Sequence, residues 1–91
     1  MNTQIQKGTI FSLSIDQEHE ILYMVANRME DICNGVERES GWRCIEMNAI
    51  NEKGIDNISP FDCWRVSDRY IEVQMKRGKI KIVEPISDNI R

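Results

Sequence analysis

The chain has 91 residues and a mass of 10.7 kDa, which suits one small domain. Apolar residues make up 41% and charged residues 30%, so the chain is too apolar to be intrinsically disordered. The net charge of −3 and the pI near 5.1 argue against a basic nucleic-acid coat protein and against a polybasic membrane anchor.

The first predicted element is a strand over Thr9–Ile15. Phe11, Leu13 and Ile15 alternate there with serines, and a period of two is typical of a half-buried strand. Gly8 supplies a turn before it. We expect residues 1–8 to form a loose N-terminus.

The next segment predicts an amphipathic helix. Asp16 is a good N-cap, and the carboxylates that follow it favour the first turn of a helix. At 100° per residue, one apolar stripe contains Ile21, Leu22, Val25, Met29, Ile32, Cys33 and Val36. The helix ends at Asn34-Gly35 or runs on to Ser40-Gly41, since either glycine can stop it.

Two further strands are predicted in the middle of the chain. Trp42–Ile50 alternates apolar and polar residues and ends in a turn before Gly54. Residues 55–62 contain Pro60 and predict an irregular segment that no regular element crosses. Cys63–Val66 predicts a short extra strand.

The last prediction is a β-hairpin. Arg69–Met75 and Lys79–Glu84 both alternate apolar and polar residues, and the tight turn between them contains Gly78. Pro85 ends the second strand, and residues 86–91 are expected to form a loose tail.

These elements predict an α+β fold. The expected architecture is a mostly antiparallel sheet of four to five strands with one amphipathic helix on one face, in the order β-α-β-(β)-β-β. The composition agrees, because 14 isoleucines against two leucines and two alanines favour strands over helices.

No arrangement of residues predicts an active site. His19, the one histidine, is expected on the surface with nothing to orient it as a base. Cys33, Cys44 and Cys63 lack the paired spacing of a zinc site or a disulfide framework, so we expect free thiols. The sequence therefore predicts no catalytic residue, no cofactor and no metal. Without a signal peptide or a membrane-spanning run, a cytoplasmic location is expected.

Charge is distributed unevenly along the chain. Residues 16–39 carry seven acids and two bases, whereas residues 64–83 carry six bases and two acids. Opposite charges of this kind favour contact with a charged partner or association of copies into a homodimer. Candidate binding residues are two that leave the helical stripe and five on or near the basic hairpin: Tyr23, Met24, Arg65, Tyr70, Arg77, Lys79 and Lys81.

The stretch Glu39-Ser40-Gly41-Trp42-Arg43-Cys44-Ile45, in a short acidic chain rich in Ile and Asn, resembles small accessory proteins from early regions of temperate enterobacterial tailed phages. The resemblance implies a protein in the host cytoplasm that binds a host or phage macromolecule and blocks or redirects it. It assigns no functional residues.

The sequence thus favours a non-enzymatic interaction protein that modulates a host system by stoichiometric binding to a protein. The alternative is a small nucleic-acid-binding protein that uses the basic hairpin, with lysines on phosphates and an aromatic residue such as Tyr70 on a base. A third hypothesis is a hydrolase or nuclease, which would require a divalent metal ion. Imitation of a phosphate backbone by the acidic segment is a further hypothesis.

Overall fold

The computed structural model describes residues 5–84 of the chain. Five strands and two helices follow one another in this range: β1 (Ile10–Ser14), β2 (Glu20–Asn34), β3 (Glu37–Glu46), α1 (Met47–Lys53), β4 (Cys63–Ser67), α2 (Asp68–Lys76) and β5 (Ile80–Glu84). The strands form one antiparallel sheet in the order β4-β3-β2-β1-β5. The predicted α+β class and its antiparallel sheet are confirmed.

The helix predicted from Asp16 is wrong, because this segment forms the long central strand β2. Residues 21–26 are apolar without a break, and such a run fits a helical stripe as well as a strand that is covered on both faces. Asp16 accepts hydrogen bonds from the backbone N–H groups of Glu18 and His19, both at 2.8 Å. These bonds resemble those of an N-cap, but they close the turn between β1 and β2.

The predicted C-terminal hairpin is wrong in its first half. Residues 69–75 belong to α2, whose N-cap is Ser67, with its hydroxyl oxygen accepting from the Tyr70 backbone N–H at 3.1 Å. Ile71 and Met75 lie one turn apart and pack on the core, so their spacing fits a helix as well as a strand. The second half is β5 as predicted, and Gly78 takes a positive φ of 77° in the turn before it.

The second predicted strand ends early. β3 stops at Glu46, and residues 47–53 form α1, which buries Ala49. Two 3₁₀ turns, Ile55–Asn57 and Pro60–Asp62, occupy the segment expected to be irregular. The extra strand predicted at Cys63–Val66 is confirmed as β4, which pairs with β3 at the edge of the sheet.

The core lies between the sheet and α2. The sheet face beneath the helix, called the α2 face, includes Phe11, Val25, Cys44, Val66 and Ile80, and these side chains are buried. Ile5 belongs to the same cluster, so the expectation of a loose N-terminus is wrong for residues 5–8. The tail expected at residues 86–91 lies outside the described residues. Alternate residues point to the opposite side of the sheet, called the far face.

An ion pair fixes the segment between α1 and β4. The Lys53 ammonium donates to Asp62 Oδ2 at 2.9 Å, and the Ser59 backbone N–H donates to the same oxygen at 3.0 Å. Both contacts favour the carboxylate and hold the pKa of Asp62 below its ordinary value of 3.8.

We therefore expect Asp62 to contribute to stability at neutral pH and to lose that contribution in acid. Its pKa is lower in the folded than in the unfolded chain, so the contribution is complete above about pH 4 and disappears as the pH falls through the folded-state pKa. Urea unfolding at pH 7 and pH 3 tests this. The wild type should lose more stability over this interval than Asp62→Asn. Equal losses would contradict the expectation.

Candidate interaction surface

Two strands of the sheet continue beyond their neighbours and form an arm. β1 pairs with β2 over Glu20–Met24, and β4 pairs with β3 over Gly41–Ile45. Residues 30–40 pair only within the β2–β3 hairpin, and we call them the arm. An isolated two-stranded ribbon is marginally stable in water, so the arm depends on the sheet at its base.

A two-residue turn closes the arm at its tip. Gly35 has a φ of +70° and no described non-glycine residue has a positive φ, which is the pattern of a type II′ hairpin turn. Val36, the second turn residue, is fully exposed. A single exposed apolar side chain is ordinary, but this one lies at the tip of the arm.

The arm is acidic. It contains four acids and one base, which gives a charge of −3 within eleven residues. Arg38 donates to both carboxylate oxygens of Asp31 at 2.7–2.8 Å, and the Ser40 hydroxyl donates to Glu30 at 2.8 Å. These cross-strand contacts are solvent-exposed and add little stability, but they hold the two strands in register.

Close backbone contact anchors the base of the arm. Gly41 is buried, and a Cβ atom at this position would lie 2.6 Å from the Ser67 Cα atom and 2.7 Å from Ile32 Cδ1, besides colliding with the Val66 carbonyl oxygen. Only glycine, which has no Cβ atom, allows β3 to lie this close to β4 at position 41. The approach brings Ile32 over β4, so Ile32 and Cys33 line a cavity of about 280 Å³ together with Trp64, Arg65 and Tyr70.

Arg28 connects the base of the arm to α2 through an ion pair with Asp68. Arg28 donates two hydrogen bonds to the Asp68 carboxylate, each at 2.7 Å, and its guanidinium carbon lies 5.0 Å from the Trp42 ring centroid. The bond to Asp68 raises the pKa of Arg28. This pair fixes the first turn of α2 against the central strand.

Four aromatic rings cross the α2 face in a row. Centroid distances are 5.7 Å between Phe11 and Tyr23, 5.0 Å between Tyr23 and Trp64, and 5.5 Å between Trp64 and Tyr70. Such pairs stabilise a core beyond their buried area. Burial raises the pKa of Tyr23. The expectation that Tyr23 projects into solvent from a helix is therefore wrong.

The far face carries a groove of about 530 Å³. Its apolar lining comes mainly from four side chains, Met24, Ile45, Ile55 and Ile58, and its polar lining from Lys7, Asn27 and Arg43. Arg43 lies directly opposite Arg65 on the neighbouring strand, so the two side chains point to the same face. The groove is thus lined by apolar side chains and by two positive ones, Lys7 and Arg43.

The seven residues predicted to bind a partner do not form one surface. Tyr23 and Met24 are half-buried on opposite faces of β2, so they do not act together. Arg65 and Lys81 lie on strands at opposite edges of the sheet. Tyr70, Arg77 and Lys79 lie on α2 or in the turn after it.

The predicted basic hairpin is therefore not a single basic surface. The Ser14 backbone N–H donates to the Lys79 carbonyl oxygen at 2.8 Å, which places the turn after α2 beside the end of β1. The acidic turn containing Asp16 and Glu18 begins two residues later. Mixed charge of this kind disfavours a phosphate-binding track.

Sequence reasoning missed the arm and most of the groove. Gly35 suits the end of a helix as well as a hairpin turn, and the residues beside it do not alternate, so no local pattern indicates the hairpin. Among the groove residues, only Met24 was a predicted site residue. The others come from β2, β3, the segment before β1 and the 3₁₀ turn region, which no local pattern connects.

The thiols and the histidine have ordinary environments. Burial raises the pKa of Cys44 to about 12, so this thiol stays protonated at neutral pH. Cys63 is half-buried, with its thiol donating to the Ser59 carbonyl oxygen at 3.5 Å, and Cys33 is exposed. His19 is exposed, and its Nδ1 lies 2.9 Å from Asp16 Oδ1. Across residues 5–84, no His, Cys, Asp and Glu side chains cluster in a way that could hold a metal ion.

Neither described helix is long and apolar enough to pass through a bilayer. Comparisons with protein-family models, with curated proteins and with solved structures found no match.

Proposed function

We propose that this chain is a non-enzymatic protein-binding module that acts by stoichiometric binding and uses the arm as its main contact. The observation that carries the proposal is the arm itself, a projecting acidic ribbon with a fully exposed valine at its tip. Exposed strands and apolar tips are costly to leave in water, and a partner that covers them removes the cost. The resemblance to phage accessory proteins supports a bacterial host protein as the partner.

The charge of the arm indicates the chemistry of the partner. Four carboxylates around a single base favour a positively charged protein surface and oppose nucleic acid. Nucleic-acid binding, the second hypothesis, has less support, because the predicted hairpin that would carry it is not formed.

We expect Val36→Asp to reduce partner binding at least about tenfold, because it removes the apolar contact and places a charge in the interface. The measurement is retention of bacterial lysate proteins by the immobilised chain, with quantification of the partner relative to the bait. Phe61→Asp is the matched control, since Phe61 is almost fully exposed but lies in a 3₁₀ turn outside the arm. Neither side chain contributes to the core, so both variants should fold.

Two results would overturn the proposal. Equal retention by Val36→Asp and wild type would exclude the arm as the contact. Binding to oligonucleotides that falls steeply as salt rises would support the nucleic-acid hypothesis instead.

A further inference from the structure

We propose that the groove on the far face binds the arm of a second copy of this chain, with Val36 on its apolar floor and Glu37 against Arg43 and Arg65. The inference goes beyond the proposed function, because a second copy would compete with the host partner for the same arm. It adds a site to the molecule, since the groove has no part in the function proposed above.

The two arginines beside the groove lack a described counter-charge. Like charges directly opposite each other on neighbouring strands are destabilising. Arg43 donates to the neutral Asn27 side chain at 3.0 Å, and no residue of the described range forms an ion pair with Arg65. Lys7 and Arg43 are the positive side chains of the groove lining, and Arg65 lies beside Arg43 on the neighbouring strand. A carboxylate placed between the arginines would relieve their repulsion.

The groove floor matches an apolar side chain. Met24 and Ile45 are paired across β2 and β3, and Ile55 closes the groove from the 3₁₀ turn while remaining half exposed. An occupant must therefore be apolar where it meets these residues and acidic where it meets the arginines. An acidic peptide with one exposed apolar residue has this chemistry.

The arm has that chemistry in two adjacent residues. Val36 is fully exposed at the turn, and Glu37 follows it as an exposed residue at the start of β3. The other acids of the arm add to its negative field, although Asp31 and Glu30 already bond to side chains of the arm. Charge complementarity with the groove is therefore strongest at the tip.

The arm cannot fill the groove of its own chain. β2 stays paired with β3 between Asn27, which lines the groove, and Asn34, which precedes the turn, so the tip is held away from the groove of its own chain. Contact must come from another molecule. If two copies exchange arms, each chain contributes both an arm and a groove to the interface. Reciprocal exchange also closes the assembly as a symmetric dimer.

Charge reversal tests the pairing. Sedimentation equilibrium of the full chain at about 50 mM salt, where exposed charges are weakly screened, should show a dimer. Arg65→Glu and Glu37→Lys should each weaken it at least about tenfold, since each places like charges together at both contacts. An equimolar mixture of the two variants should regain a dimer, because one contact is then native and the other carries the reversed pair. Arg69→Glu, an equal charge change in the exposed first turn of α2, should leave the dimer intact.

The outcomes separate this inference from the proposed function. A chain that is monomeric at all concentrations, or a dimer that is insensitive to both reversals, overturns arm exchange. A monomer that still loses its lysate partner on Val36→Asp leaves the protein-binding function standing. A dimer that is lost on Arg65→Glu and restored by mixing with Glu37→Lys establishes the groove as the arm's site.

Discussion

Gly41→Ala should destabilise the protein by about 3 kcal/mol or more, because the new methyl group has no free space. It would collide with the Val66 carbonyl oxygen and approach the Ser67 Cα atom and the Ile32 side chain. Two of these neighbours are backbone, so relief requires β3 and β4 to separate. The change should also release the base of the arm and weaken any binding that uses it. Urea unfolding measures the loss.

Gly35→Ala is the control for Gly41→Ala. Its φ of +70° makes alanine unfavourable by about 1 kcal/mol, but a Cβ atom there meets no other atom within 4 Å. The strain at the tip should therefore cost less than the collision at the base. Equal losses from the two variants would contradict the close approach of β3 and β4 at Gly41.

Phe11→Ala should cost about 3–5 kcal/mol, the range for removal of a buried phenylalanine. Phe11 is 0% exposed at the centre of the α2 face, and its ring stacks on Tyr23. A domain of this size has a total stability of roughly 5–14 kcal/mol at about 0.05–0.15 kcal/mol per residue, so the variant should be marginally folded. Near-ultraviolet circular dichroism and urea unfolding should both report the change.

Phe61→Ala provides the same substitution at a nearly fully exposed position. It should change the free energy of unfolding by no more than about 0.5 kcal/mol. Losses of similar size at Phe11 and Phe61 would contradict the assignment of the core to the space between the sheet and α2.

Local signals predicted part of the fold correctly. Strict alternation identified β1, and the same pattern with Gly78 identified β5 and the turn before it. The excess of isoleucine indicated a sheet. These features depend on residues close in sequence, for which backbone sterics and side-chain alternation are decisive.

Two other segments have sequence patterns that fit both a helix and a strand. Residues 20–34 fit a helix because both faces of β2 are apolar in its first half, which removes the alternation that distinguishes a strand. Residues 69–75 alternate as a strand does, yet Ser67 caps them as a helix and Ile71 and Met75 face the core from adjacent turns. In both cases packing against distant residues decided the outcome, since it outweighs the small differences in intrinsic propensity.

The candidate interaction surface also has features that the sequence predicts and others that depend on the tertiary structure. The sequence alone predicts the α+β class with an antiparallel sheet. It also shows an acidic stretch followed by a basic one, and it offers Met24 and Arg65 as candidate binding residues. The tertiary structure determines that β2 and β3 extend beyond the neighbouring strands to form the arm. It also brings Lys7, Arg43 and Ile55 together in one groove. Strand ends and groove walls are set by pairing between segments far apart in the chain, and the free energy of that pairing appears only when the whole sheet has formed.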